Sequence, residues 1–168
     1  MFLAPTPMDL AFAEAEAAFI RGEVPVGAVV VDVESGRLLA RAGNCVREWS
    51  DPTAHAEMLA LRTVAAAQAA PRLPGCDLYV TLEPCPMCAA AMALARIRRL
   101  YFGAYDPKGG GVEHGPRLFT WPTCHHWPEV YGGVQERRAA ILLRRFFALR
   151  RPDHGAMSRV GGRSIRST

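Results

Sequence analysis

His55 and Glu57, separated by one residue, and Cys85 and Cys88, separated by two, are the side chains of this sequence best suited to chemistry. Both pairs sit where a helix should begin. Asp51-Pro52-Thr53 holds residue types that open helices, so His55 and Glu57 are expected in the first turn of the segment that follows. Glu83-Pro84-Cys85 closes an apolar run and Pro86 leads a second helix, whose first turn brings both sulfurs to one side. The helix N-terminus favours their thiolate forms. One imidazole and two thiolates are ligand types that zinc prefers, and three such ligands leave a fourth tetrahedral position for water. Zinc lowers the pKa of that water to about 7. A nearby carboxylate that is not a ligand can then carry the proton, and Glu57 is placed for that work.

Other uses of these residues have to be weighed. A C-x-x-C pair alone serves equally in structural zinc sites and in thiol–disulfide exchange. A zinc ribbon, however, wants a second cysteine pair, and Cys45, Cys76 and Cys124 do not form one. An odd total of five cysteines with one close pair is not a disulfide framework. Cys124-His125-His126 and His114 suggest a second metal site, but adjacent side chains do not easily converge on one ion.

The elements that must position these groups follow from periodicity. Asp9 to Arg21 has helical spacing closed by Gly22, and Val26 to Val33 with Arg37 to Ala42 reads as a β-hairpin around Glu34-Ser35-Gly36. Ala54 to Ala70 is helical, Cys76 to Leu82 a strand, Pro84 to Arg96 a helix and Arg99 to Ala104 a strand. From Asp106 to about Gly133 the chain is rich in Gly, Pro, His and Trp, so it either carries function or hides a short element. Gln135 to Arg151 is helical, with Ala139, Leu142, Leu143, Phe146 and Phe147 on or near one face. This order predicts a three-layer α/β/α sandwich around one mixed sheet of about five strands. Residues 1–151 are read as one domain and 152–168 as a disordered basic tail.

Length and charge agree with that frame. The 168 residues suit a single domain, and 50% hydrophobic with 21% charged residues is globular composition. The apolar run from Cys88 to Ala95, closed by Arg96, is far short of the about 20 residues a membrane span needs. The N-terminal residues lack a basic region ahead of an apolar core, so a cytoplasmic protein is expected. The net charge of +4 is unevenly spread: from Val134 onward nine arginines face only Glu136 and Asp153, a local +7, which leaves the preceding residues at −3. Such an end suits a polyanion such as RNA, although Lys108 is the only lysine and arginine richness can also reflect base composition.

H-x-E followed by P-C-x-x-C, with a strand between them, is a zinc deaminase signature. On that motif the sequence resembles the cytidine deaminase superfamily, and Val24 to Val29 with the terminal Phe146-Phe147 helix and its arginines narrow the resemblance to the bacterial tRNA adenosine deaminases within it. The resemblance covers roughly Met8 to Arg151, through Glu23 to Val29, Asp51 to Arg62, Leu78 to Cys85, Phe102-Gly103-Ala104, and Phe146-Phe147 leading into Arg150-Arg151. It implies the predicted α/β/α fold and one zinc held by His55, Cys85 and Cys88. Glu57 would move protons while the wobble adenosine of a tRNA anticodon stem-loop becomes inosine. Asn44, Val24, the backbone at Ala56, Leu82 and Pro84 would contact the base; Asp106, Lys108, Arg150 and Arg151 would contact the RNA around it. A homodimer with active sites near the subunit interface is implied as well.

Tyr105 to Gly115 departs from the commonest pattern of that family, in a region that faces the RNA loop. Two other readings therefore stay open: a zinc deaminase of a free base or nucleoside, and a zinc-stabilised RNA-binding module without catalysis. Without the resemblance, Asn44 in Ala42-Gly43-Asn44 would be an ordinary turn residue.

Overall fold

The computed structural model describes residues 4–150. Arg151 and the tail expected at 152–168 lie outside the described residues. The elements are α1 (Pro7–Ile20), β1 (Gly27–Asp32), β2 (Leu38–Gly43), α2 (Ala56–Gln68), β3 (Cys76–Leu82), α3 (Pro86–Ala95), β4 (Arg99–Ala104), β5 (Glu129–Tyr131) and α4 (Glu136–Ala148). The sheet has the order β2-β1-β3-β4-β5. β1 runs antiparallel to β2 and β3, whereas β3, β4 and β5 are parallel. None of the described helices is long and apolar enough to cross a membrane.

Two helices cover each face. α2 and α3 enclose one core, built on sheet residues such as Ala28, Val30, Leu78, Val80, Leu100 and Phe102. α1 and α4 enclose the other, with Phe12, Val29, Ala139 and Leu142. The alternation of Val29 and Val30 between the two cores explains why β1 reads as an unbroken apolar run. α1 starts with a capping box, Thr6 with Asp9, and Asp9 is also held by Arg138 of α4 at 2.9 Å. On α4 the expected apolar face is narrower than its sequence suggests: Ala139, Leu142 and Phe146 are buried but Phe147 is exposed.

β5 lies inside the stretch that carried no periodic signal. Three residues are too few for a pattern, and cross-strand pairing identifies them instead. Tyr79, Tyr101 and Tyr131 are in register across β3, β4 and β5 and stack at 4.4 and 4.8 Å, while Arg99 pairs with Glu129 at 2.6 Å.

The rest of the irregular chain is organised by two buried carboxylates. Glu23 Oε1 accepts the backbone N–H groups of Arg47 and Glu48, both at 2.8 Å, and so pins the loop before α2. Glu83 does the same for the long loop after β4. Its Oε1 accepts from the N–H groups of Val112, Glu113 and His114 at 3.3, 2.8 and 2.9 Å. Its Oε2 accepts from Asp106 N–H at 2.9 Å, with His114 Nδ1 at 2.8 Å. Burial alone would raise its pKa, but these N–H donors prevail and hold the carboxyl below its usual range. Gly110 and Gly111 make the wrapping possible: a Cβ on Gly110 would stand 2.5 Å from the Glu83 carboxyl carbon, and one on Gly111 2.6 Å from the Pro86 nitrogen. Replacing Glu83 by Gln, which turns an NH2 toward N–H donors, should cost on the order of 3 kcal/mol by urea denaturation. Glu113→Gln, on the exposed side of the same loop, should change stability by less than about 0.5 kcal/mol.

Candidate active site and metal centre

The starts of α2 and α3 meet at the same end of the sheet. His55 is the N-cap of α2 and Cys85 the N-cap of α3, one position earlier than a place in the first turn. Asp51 and Thr53 do not cap α2 as their types suggest; Asp51 Oδ1 instead accepts from Thr53 N–H and from its hydroxyl, both at 2.7 Å, in a turn ahead of the helix. With those caps committed elsewhere, His55 Nδ1 points at both sulfurs, 3.6 Å from Cys85 Sγ and 3.6 Å from Cys88 Sγ.

These three ligand atoms lie within 4.8 Å of one another, the only such metal-binding group of His, Cys, Asp and Glu among the described residues. Tetrahedral zinc with ordinary Zn–S and Zn–N bonds needs N···S separations of about 3.6 Å. The geometry and donor chemistry therefore fit one zinc ion. The second constellation considered from sequence does not assemble: His114 is engaged with Glu83, and His126 Nε2 lies 2.8 Å from the carbonyl of Ile97.

Glu57 occupies the first turn of α2, is buried, and its Oε2 has no hydrogen-bond partner. Burial pushes its carboxyl up to about 7, a position from which it can take and return a proton near neutrality. An unpartnered oxygen at full burial is costly unless something else normally meets it. A carboxylate beside the metal ligands but outside the ligand set is the arrangement that general acid–base work on an activated water requires.

Asn44 is not an ordinary turn residue. It is buried, and its Oδ1 accepts the N–H of Ala56 at 2.9 Å, supplying the helix cap that His55 does not. Its amide nitrogen is left as a donor, and the Ala56 N–H is committed to Asn44. Pro84 is buried and Leu82 and Val24 are half-buried around this end of the sheet. Asp106 accepts from the N–H groups of Lys108 and Gly109 at 3.1 and 3.0 Å, which leaves Lys108 exposed at a loop tip. Arg150 reaches back from the end of α4 to the carbonyl of Gly22. Sequence reasoning missed the supporting roles of Glu23 and Glu83. The available signal was a glutamate beside a motif in each case, Glu23-Val24-Pro25 and Glu83-Pro84-Cys85.

Comparison with known proteins agrees with this site. Residues 4–104 match the cytidine and deoxycytidylate deaminase zinc-binding region. A tRNA-specific adenosine deaminase of Agrobacterium fabrum is 58% identical over 146 residues, 87% of this chain and 95% of that one. A solved structure from studies of A-to-I editing by tRNA:A34 deaminases is also 58% identical, with a TM-score of 0.79 over 82% of this chain and 98% of that one. The guanine deaminase of Nitrosomonas europaea shares the fold, with a TM-score of 0.75 over 88% of this chain and 87% of its own, at 24% identity. The matched zinc-binding region spans both halves of the His55, Cys85 and Cys88 triad, and on that match and the close relative the chain belongs to the tRNA-specific adenosine deaminases of the cytidine deaminase superfamily.

Proposed function

We propose that this protein hydrolytically deaminates the wobble adenosine of tRNA anticodons to inosine, with His55, Cys85 and Cys88 as zinc ligands and Glu57 as the proton carrier. The observation that carries the chemistry is the buried, unpartnered Glu57 Oε2 beside the ligand triad. The tRNA substrate rests on the similarity to tRNA-specific adenosine deaminases.

Bound zinc supplies Lewis-acid activation of water at neutral pH. Glu57 would accept the first proton that water gives up and deliver it to the ring nitrogen next to C6, then take the second proton from the hydroxyl left on C6 and pass it to the departing amino group. The C6–NH2 bond is replaced by C6=O and ammonia leaves, so one water is consumed. The Asn44 amide donates to the purine, with Val24, Leu82, Pro84 and the α2 start at Ala56 packed about the base. Asp106 and Lys108 on the loop anchored by Glu83, and Arg150 and Arg151 after α4, hold the surrounding anticodon loop. The reading places the protein in the cytoplasm with its substrate.

The active unit in this reading is a homodimer. Supporting it, α3 presents an apolar outer face: Leu94 is 78% exposed beside a groove of about 430 Å³ that Ala90, Ala93, Leu118 and Trp121 help line. Leu94→Glu should halve the mass measured by light scattering; an unchanged mass would place the interface elsewhere.

Incubating the zinc-loaded protein with an anticodon stem-loop bearing wobble adenosine, alongside free adenosine, cytidine, guanine and cytosine, should yield inosine and ammonia from the stem-loop alone. Deamination of a free base with no reaction on the stem-loop would overturn the substrate assignment. Glu57→Ala should remain folded and zinc-loaded with at least about a hundredfold loss of rate; retained activity would remove Glu57 from the mechanism.

Metal uptake should also be coupled to protons. A hydrogen bond from Cys88 holds the Cys85 thiol down to about 4, whereas that bond and burial push the Cys88 thiol up, so without metal the two sulfurs share one proton. Both must be deprotonated as ligands. Hydrogen bonding to Cys85 likewise raises the pKa of His55, which must also be neutral to bind, so calorimetry at pH 7 in buffers of different ionisation heat should report release of more than one proton per zinc, with affinity falling as pH is lowered. Heats independent of the buffer would contradict this.

A further inference from the structure

Three arginines from separate parts of the chain gather around the Arg21-Gly22 turn and the neighbouring Asn44 carbonyl. Arg21 ends α1, Arg47 lies in the loop after β2, and Arg150 follows α4. Gly22, at φ +80°, presents its carbonyl to two of them: Arg150 Nη2 donates to it, and Arg47 Nη1 donates to the same oxygen at 3.4 Å. Arg21 Nη2 donates to the carbonyl of Asn44 at 3.1 Å. A Cβ on Gly22 would stand 3.0 Å from Arg150 Nη2, so a glycine is what admits the guanidinium so closely. The Arg150 plane is further fixed over the Phe146 ring, 4.2 Å from its centroid.

Carbonyl oxygens orient guanidinium groups without neutralising them. Among the described residues, Glu48 is the one carboxylate that forms an ion pair with this group, at 3.2 Å from Arg21 Nε. Glu23 lies under the same turn but its Oε1 is taken by two backbone N–H groups. Three surface cations thus face two carboxylates, exposed Glu48 and buried Glu23, and each arginine keeps guanidinium donors to spare. Holding like charges together repels them unless an anion joins.

The cluster adjoins the proposed site along the chain and in space. Gly22 precedes Val24 by two residues, and the Asn44 whose carbonyl Arg21 holds is the residue that offers its amide to the purine. A base drawn out of an RNA loop leaves its flanking phosphates at the rim of the pocket. Forked guanidinium groups match phosphate oxygens in pairs. We infer that Arg21, Arg47 and Arg150 form a phosphate-binding station for the RNA backbone next to the wobble adenosine, an inference that rests on the tRNA reading above.

The test uses the zinc-loaded full chain and the same anticodon stem-loop. Arg21→Gln and Arg47→Gln should each raise KM with kcat retained, and each should flatten the log–log dependence of affinity on salt by about 0.7, the value of one single-strand phosphate contact. Arg37→Gln, in the exposed turn of the hairpin, should leave both unchanged. Replacing loop phosphates singly by neutral methylphosphonate should locate one linkage beside the adenosine at which wild type and variant become equal. Lysine at either position should restore the salt slope, which separates lost charge from a loosened turn. An unchanged slope in the glutamine variants, or neutral linkages whose effects merely add to theirs, overturns the station while leaving the deaminase reading intact. Failure of the wild type to deaminate the stem-loop overturns both.

Discussion

A helix normally uses its N-cap side chain to satisfy its first free N–H groups, and both helices at this site give that side chain away. His55 and Cys85 are N-caps that make no side-chain cap bond; their nitrogen and sulfur converge on one point instead. Other residues must then cover the exposed donors. For α2 the substitute is Asn44, from the end of the hairpin, whose oxygen takes the Ala56 N–H. For α3 it is Pro86, which has no N–H to satisfy. The site geometry, the hairpin and the two helix starts are in this way one interlocked unit, with the orientation of Asn44 fixed by its capping bond to Ala56.

The same end of the sheet needs its loops held, since they have few apolar residues to bury. Buried carboxylates do this work. Glu23 gathers the backbone ahead of His55, and Glu83 gathers the backbone that follows β4, two residues before Cys85. Gly111 N–H donates in turn to the carbonyl of Pro84 at 2.8 Å, so the loop carrying Asp106 and Lys108 is bonded directly to the segment carrying the metal ligand. His114 takes part in that bonding through both its backbone N–H and its ring, so the residues of this loop hold themselves to Glu83.

The arginines divide into those ion-paired within the fold and a group held mainly by carbonyl oxygens. Arg138 binds Asp9 and lies over the Phe12 ring, 4.0 Å from its centroid, joining α4 to α1. Arg98 and Arg99 brace the sheet through Asp77 and Glu129. Arg21, Arg47 and Arg150 differ because three positive groups gather with Glu48 as their one ion-paired carboxylate among the described residues. Net charge alone could not separate these roles, and neither could the observation that the excess lies toward the C-terminus.

Much of the molecule was legible in one dimension because its determinants are local. Helix and strand periods, the Pro-led helix starts, and the spacings of His55 with Glu57 and of Cys85 with Cys88 depend on near neighbours in the chain, and they pointed to the α/β/α sandwich and the zinc ligands. What only the tertiary structure decided depends on partners far along the chain. β5 exists because Glu129, Val130 and Tyr131 find register against β4, not because three residues carry a pattern. The capping role of Asn44, the loop-holding roles of Glu23 and Glu83, and the meeting of Arg21 with Arg47 and Arg150 each join segments that sequence separates by 12 to 128 positions. Hydrogen bonds across such distances leave no periodic trace, since any polar residue at the right place in space would satisfy them, and only folding reveals which place that is.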